Sequence, residues 1–235
     1  GDGEVFYEFC EKLMGDLEKL ERSMGIERVP VALTIAASTI PSAYIIPKVL
    51  EQLLGKIENV KFRIKSSDSR EAIEQVKERE ADAAIVGRII KHPLLTFNDI
   101  WDDEIVLVCR KGAFPTKISV NDLEKIPLIV REKGSGTRHH YEEALNKHGL
   151  YIPDLKVVME CSTSEMAKEA VLSGTGASFI STLAVAREIK SGLLQAVEIK
   201  DIRIHRKFYF VTLKGKKMEK PVQLLYDLLK NNFRV

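Results

Sequence analysis

Apolar residues recur along this chain with two different periods, and the change from one to the other divides it. Over Val5 to Met24, Phe6, Cys10, Leu13, Leu17, Leu20 and Met24 follow steps of four and three, which holds one narrow stripe along a helix. Heptads of this kind read as a coiled-coil seam, with Glu8, Glu11, Lys12, Asp16, Glu18, Lys19 and Glu21 on the other faces. Gly25 supplies a stop, Pro30 prevents continuation, and Gly15 is a weak spot within the helix. Two fates are open to the stripe, a partner helix or the protein's own core. Its place before a linker (Gly25 to Pro30), outside the repeat that follows, favours the partner.

After Pro30 the period shortens. VALTIAA (Val31 to Ala37) is β-branched and apolar enough for a buried strand; Ser38-Thr39, Pro41 and the helical run SAYIIPKVLEQLLG follow. NVKFRIKSS alternates as a second strand, Asp68-x-x-Glu71 forms a capping box for a helix, and ADAAIVG makes a third strand ending at Gly87. The same grammar returns later: strand IPLIVRE, then Gly-Ser-Gly-Thr, helix RHHYEEALNKHG and strand LKVVMEC. A capping box Ser162-x-x-Glu165, helix EMAKEAVLSG and strand GASFIS complete it. Strands alternating with helices predict parallel sheet covered on both faces, hence two similar α/β lobes. WDDEIVLVCRKG (Trp101 to Gly112) and HRKFYFVTLKG read as strands that cross between the lobes, so the closing helix VQLLYDLLKNNF returns to the first. The expected divisions are a linker helix over 1–29, lobe I over 30–108 and 208–235, and lobe II over 109–207.

Composition narrows the class. A length of 235 residues with 45% hydrophobic content furnishes a core without disulfides. Cys10, Cys109 and Cys161 are odd in number and far apart, which speaks for reduced thiols rather than a disulfide framework or a zinc site. The 36 basic and 34 acidic residues are intermixed, so no basic block announces contact with nucleic acid. No run approaches the roughly 20 apolar residues that span a bilayer, and the charged opening segment lacks a signal-peptide core. The expectation is a soluble cytoplasmic protein without membrane contact.

In open parallel sheets ligands bind beyond the carboxyl ends of strands, where helix N-termini present unpaired N–H groups and partial positive charge. Four such ends carry short hydroxyls here: Ser38-Thr39, Ser66-Ser67, Ser135 with Thr137, and Thr163-Ser164. Gly134 and Gly136 would let a ligand approach the third, and Arg138 could add a fixed positive charge. Each hydroxyl alone is as well explained as a helix cap; four at equivalent ends of a repeat point to a shared ligand, expected to be a small anion. KGSGTR lacks the spacing and lysine of a nucleotide-binding loop, and Gly134 and Gly136 lack the third glycine of a dinucleotide fingerprint. His139, His140 and His148 lie on one helix without a completing ligand, so no metal is expected. No nucleophile, base and orienting acid assemble by spacing, and neither catalysis nor a cofactor is expected.

The order of these features resembles the effector-binding domain of LysR-type transcriptional regulators. The resemblance is carried by LTIAASTIPSAYIIPKVLEQL, WDDEIVLVCRKG, GSGTR and EAVLSGTGASFISTLAVARE and runs from Glu4 to about Arg234. It is strongest toward the branch that regulates sulfur assimilation and carbon fixation. It implies a fold like that of type 2 periplasmic binding proteins, an inducer between the lobes, and homodimers or homotetramers. By position, Ser38 and Thr39 would hold the inducer's acidic or polar group, Thr137 with Ser135 would face it, and Gly87, Arg88 and Thr163 would line the remaining walls. Ser67, at the end of the second strand, belongs to the same candidate set. The family's winged helix-turn-helix has no counterpart before Val5, so the resemblance implies that DNA is contacted only through a domain absent here. A solute-binding protein of a transporter shares the scaffold and is the alternative.

Overall fold

The computed structural model describes residues 2–24, 31–57 and 59–232. Helix α1 (Asp2–Ser23) carries the predicted stripe. Phe6, Leu13, Leu20 and Met24 are 69%, 58%, 55% and 65% exposed, so these side chains are not spent on the protein's own core. The predicted stop at Gly25 and the linker to Pro30 lie outside the described residues.

Lobe I is built from β1 (Val31–Ser38), α2 (Ile46–Leu54), β2 (Val60–Ser67), α3 (Ser69–Lys77) and β3 (Ala83–Val86). The predicted helix after β1 opens at residues 39–40, widens into a π-helical turn over Pro41–Ile45 and is α-helical again from Ile46. Pro47 is the physical reason: its ring collides with the carbonyl four residues back and offers that carbonyl no N–H, and a widened turn relieves both. Strand β4 (Leu95–Arg110) is longer than the sequence suggested, because its first half alternates too weakly to be read.

Lobe II contains β5 (Lys117–Ile118), β6 (Leu128–Arg131), α4 (Gly136–Asn146), β7 (Val157–Cys161), α5 (Ser164–Leu172), β8 (Ala177–Ser181), α6 (Thr182–Lys190) and β9 (Leu194–Ile199). Strand β10 (Ile204–Leu213) and α7 (Lys220–Asn232) close the chain. Helix α5 is capped by Thr163, whose Oγ1 accepts from the Met166 N–H at 3.1 Å, so the expected capping box on Ser162 is displaced by one residue. The Asp68 cap of α3 is formed as expected: Oδ1 accepts from the N–H groups of Arg70 and Glu71 at 2.7 and 2.8 Å.

The strand order is β2-β1-β3-β10-β4-β8-β6-β7. β1 runs parallel to β2 and β3, and β6 runs parallel to β7 and β8. Between these halves, β10 and β4 pair antiparallel over Leu95 to Ile105, and β4 continues to pair with β8 and β9. The two long strands are therefore the crossovers, and the parallel ends of both halves face a common seam. One core cluster joins Leu33, Ile35, Val49 and Leu53 of lobe I to Ile129, Val171 and Ile180 of lobe II through Val108, Phe208 and Phe210. Separate clusters under α3 (Ala72, Ile73, Val76) and α4 (Tyr141, Leu145) cover the opposite face of each half. Burial of these side chains, worth about 1.5–3 kcal/mol for each large aliphatic one, fixes the strand ends relative to one another.

Candidate functional site

A small polar cavity lies at that seam. Lobe I contributes Ser38, Thr39 and Ile40 from the end of β1, and Asp68 and Ser69 from the start of α3. Lobe II contributes Arg131 from the end of β6, and Ser135, Gly136 and Thr137 from the start of α4; Arg206 enters from β10. The helix after β1 has no side-chain cap, because the Ser38 hydroxyl is turned toward the Ile85 carbonyl, 3.5 Å away. The Ser135 Oγ caps α4 by accepting from the Arg138 N–H at 3.3 Å, which leaves the earlier N–H groups of that turn without an intrahelical partner.

Two guanidinium groups dominate the electrostatics. The Arg131 fork is held by Glu132, from Nε and Nη2 at 2.8 Å each, while Nη1 donates to Ser164 Oγ at 2.6 Å and to Thr39 Oγ1 at 3.4 Å. Arg206 donates from Nε to Asp103 Oδ2 at 2.7 Å and from Nη1 to Thr137 Oγ1 at 2.9 Å. Its Nη2 lies 2.7 Å from the same Asp103 oxygen, yet is not aligned for a hydrogen bond. Burial pulls the Arg206 pKa down and Asp103 opposes the shift. The Ser69 hydroxyl, fully buried on the lobe I wall, also lacks a partner. One orphaned hydroxyl, and a guanidinium nitrogen held only by its ion pair, therefore border one small cavity, and the hydroxyl is costly there unless something else satisfies it.

The residues expected from sequence separate into four groups. Ser38, Thr39, Ser135 and Thr137 line the cavity. Gly87 and Arg88 sit beside it at the lobe seam: the Gly87 carbonyl accepts from His140 Nε2 at 2.8 Å, and the Arg88 Nε is buried without a partner. Ser67 and Thr163 stand back from it, with Ser67 Oγ donating to the Asp68 carbonyl at 3.3 Å and Thr163 engaged as a cap. Arg138 corrects the sequence reading outright. Its side chain turns into lobe II, where Nε meets Glu142 at 2.6 Å and Nη1 meets Glu160 at 2.7 Å and the Arg131 carbonyl at 2.6 Å. Burial lowers its pKa, the two carboxylates outweigh that, and the net shift is upward.

The glycines also have a different task from the one expected. A Cβ on Gly134 would lie 1.9 Å from Asp68 Oδ2, and one on Gly136 would lie 2.9 Å from Ser69 Oγ and 3.3 Å from the Gly87 carbonyl carbon. They admit lobe I rather than a ligand. Beside them Thr39 Oγ1 and Ser164 Oγ approach to 3.3 Å, and Tyr44 reaches Glu165 and Lys168 across the seam. Sequence reasoning missed Arg131, Arg206, Asp68 and Ser69 as cavity residues. Arg206 had a signal: it shares the inward phase of β10 with Ile204, Phe208 and Phe210. No group of three or more potential metal ligands occurs among the described residues.

Two α/β halves joined by crossing strands, with a polar cavity between their helix N-termini, define a two-lobed ligand-binding domain of the periplasmic-binding-protein kind. Residues 31–234 match the LysR substrate binding domain, and the chain belongs to that family of transcriptional regulators. An HTH-type transcriptional regulator of Methanocaldococcus jannaschii is 30% identical over 97% of this chain and 78% of its own length. A probable RuBisCO transcriptional regulator of Cyanidioschyzon merolae is 27% identical over 89% of this chain and 72% of its own length. Among solved structures, the Synechocystis CcmR regulatory domain in complex with 2-PG matches with a TM-score of 0.77 at 25% identity, over 86% of this chain and 97% of that one. These relatives favour the regulator over a transporter's solute-binding protein.

Proposed function

We propose that this effector-binding domain senses a small anionic metabolite held between Ser38, Thr39 and Ser69 of lobe I, Ser135 and Thr137 of lobe II, and Arg206. The observation that carries the reading is the buried, unpartnered Ser69 hydroxyl beside the Arg206 guanidinium, on a cavity where helix N-termini meet. Binding favours one interlobe angle, and the bias is passed to transcription control in the intact regulator. The division into lobe I (30–108 and 208–235) and lobe II (109–207) fits this motion, with β4 and β10 as the connecting strands. The exposed stripe of α1 pairs with a second copy, giving a homodimer or homotetramer, while DNA is read by a domain outside this chain. The domain has no catalytic task, and its site of action is the cytoplasm, where the DNA is. No helix among the described residues is long and apolar enough to cross a membrane.

Calorimetric titration of a panel of small acids against wild type, Ser69→Ala and Thr137→Val tests the site. A hydrogen bond to a charged group contributes about 1.5–3 kcal/mol, so Ser69→Ala should weaken binding roughly 10- to 150-fold. Thr137→Val should weaken it in the same direction by releasing Arg206. A ligand located in the cavity that binds both variants as tightly as wild type refutes the assignment.

A further inference from the structure

We propose that Arg131, aimed by Glu132, is the anchor for the effector's anionic group, and that Thr39 Oγ1 stands where an oxygen of that group binds. This rests on the cavity being the effector site, and it adds the cation that grips the ligand from lobe II. Arg131 is buried at the end of β6, on the cavity wall. Its N–H groups divide between charged and neutral partners. Nε and Nη2 meet the two Glu132 oxygens at 2.8 Å each, a bidentate grip that fixes the plane of the guanidinium, and Nη2 also donates to the Ser162 carbonyl at 3.2 Å. Nη1 is left with hydroxyls, Ser164 Oγ at 2.6 Å and Thr39 Oγ1 at 3.4 Å. The Thr39 contact is the longest that the guanidinium makes, and a neutral oxygen is a weaker acceptor for it than a carboxylate.

Counting protons shows what is missing. A hydroxyl has one proton to donate. Ser164 Oγ and Thr39 Oγ1 both accept from Nη1 and lie 3.3 Å apart, so one of their two protons bridges them. The other has no acceptor among the described residues. These three groups are therefore one acceptor short. An oxyanion corrects the deficit and the weak bond together: it takes Nη1 in place of Thr39, and the hydroxyls of Thr39 and Ser164 donate to it.

The surrounding charges permit this. Glu132 matches Arg131, Asp103 matches Arg206, and Asp68 stands beside Arg88, which has Arg70 as a further neighbour. No carboxylate at the cavity is without a cation. Burial lowers the Arg206 pKa, Asp103 opposes that, and Arg131 adds to the lowering, so the two guanidiniums repel one another. An anion within reach of both relieves the repulsion. Glu132 is then a positioning residue: it touches no ligand, and its two oxygens keep Nη1 pointed at the Thr39 position.

Nitrogen NMR spectra of the arginine side chains, with signals assigned by their loss in Arg131→Lys and Arg206→Lys, test the anchor in the wild-type protein. Formate, exchanged for chloride at equal ionic strength, should shift the Arg131 signals, and formamide, of the same shape without the charge, should not. Glu132→Gln keeps the arginine but loosens its aim, and should weaken formate binding at least tenfold, the scale of one hydrogen bond to a charged group. Glu132→Asp restores a carboxylate and should recover part of that loss, with thermal melts confirming that both variants fold. If formate shifts Arg206 and not Arg131, if formamide shifts Arg131 as much as formate does, or if Glu132→Gln binds formate like wild type, Arg131 is not the anchor and the cavity reading survives. If formate shifts neither arginine, no oxyanion enters the cavity and both readings fall.

Discussion

The buried pair Arg206 and Asp103 ties together the two crossing strands, and its removal gives the sharpest energetic test. The side chains are 2% and 0% exposed, and Asp103 also accepts from Ser181 Oγ at 2.9 Å and Thr182 Oγ1 at 3.4 Å. Arg206→Met would leave the carboxylate facing two hydroxyls with no cation. Breaking such a pair from one side costs about 3–5 kcal/mol, and for a chain of this length each kcal/mol lowers the melting temperature by about 2–4 °C. The single variant should therefore melt roughly 6–20 °C below wild type. Adding Asp103→Leu removes the stranded charge and should restore most of that loss, since replacing both ions by apolar groups is often close to neutral. Scanning calorimetry, with urea titrations to complete the double-mutant cycle, measures both steps. A single variant within about 3 °C of wild type, or a double variant no better than the single, refutes the reasoning. Titration of the refolded double variant then separates the roles: effector affinity should stay lost although stability returns, because the Nη2 donor is gone.

Three further outcomes are expected. Gly134→Ala places a Cβ 1.9 Å from Asp68 Oδ2, so either the cap moves away or the lobes part; effector affinity should fall and the radius of gyration by X-ray scattering should rise, and no change in either would contradict the seam contact. Burial holds His139 and His140 below 6.5; Arg88 adds to the effect on the first against Glu143 and Glu142, and on the second the Gly87 carbonyl opposes burial more than Arg206 adds to it, yet the net shift stays downward. Below that pH the unfolded chain binds protons that the folded one does not, so stability should decline as pH falls through 6.5 and stay level above it; His140→Gln should flatten the slope in urea titrations. Leu13→Asp with Leu20→Asp should convert a dimer to a monomer by light scattering at unchanged effector affinity, since both side chains are exposed on α1.

Much of the fold was legible because its strands are buried on both faces and read as unbroken apolar runs, as in VALTIAA and IPLIV. Strand β4 was seen only in part: Thr96 to Asp99 pair with β10 but lie at the sheet's partly exposed end, where polar residues erase the alternation. The site was legible at its helix starts and not at its cations. Helix termini advertise themselves by Ser, Thr, Asp and Gly, whereas an arginine's destination depends on partners distant in sequence. Arg138 follows the glycine turn and looked like a ligand group, but Glu142 one turn on and Glu160 on β7 claim it. Arg206 lies in HRKFYF between charged neighbours, and Asp103 draws it inside from 103 positions away.

The seam contacts and the cavity share residues, and this has a thermodynamic consequence. Thr39 borders the cavity and also meets Arg131 and Ser164 across the lobes; Ser69 and Asp68 border it and also receive the glycine turn of lobe II. A ligand that bonds to Ser69 Oγ and Arg206 acts on the same wall that meets the opposite lobe, so occupancy and closure are one equilibrium rather than two. The apparent affinity is then the intrinsic affinity scaled by the fraction of molecules in the competent closure. Hydrogen bonds across the seam, each worth about 0.5–1.5 kcal/mol, set that fraction. Substitutions at Tyr44 or His140, which touch the opposite lobe without bordering the cavity, should thus change effector affinity by several-fold while leaving the ranking among effectors intact. A substitution at Ser69 should reorder it.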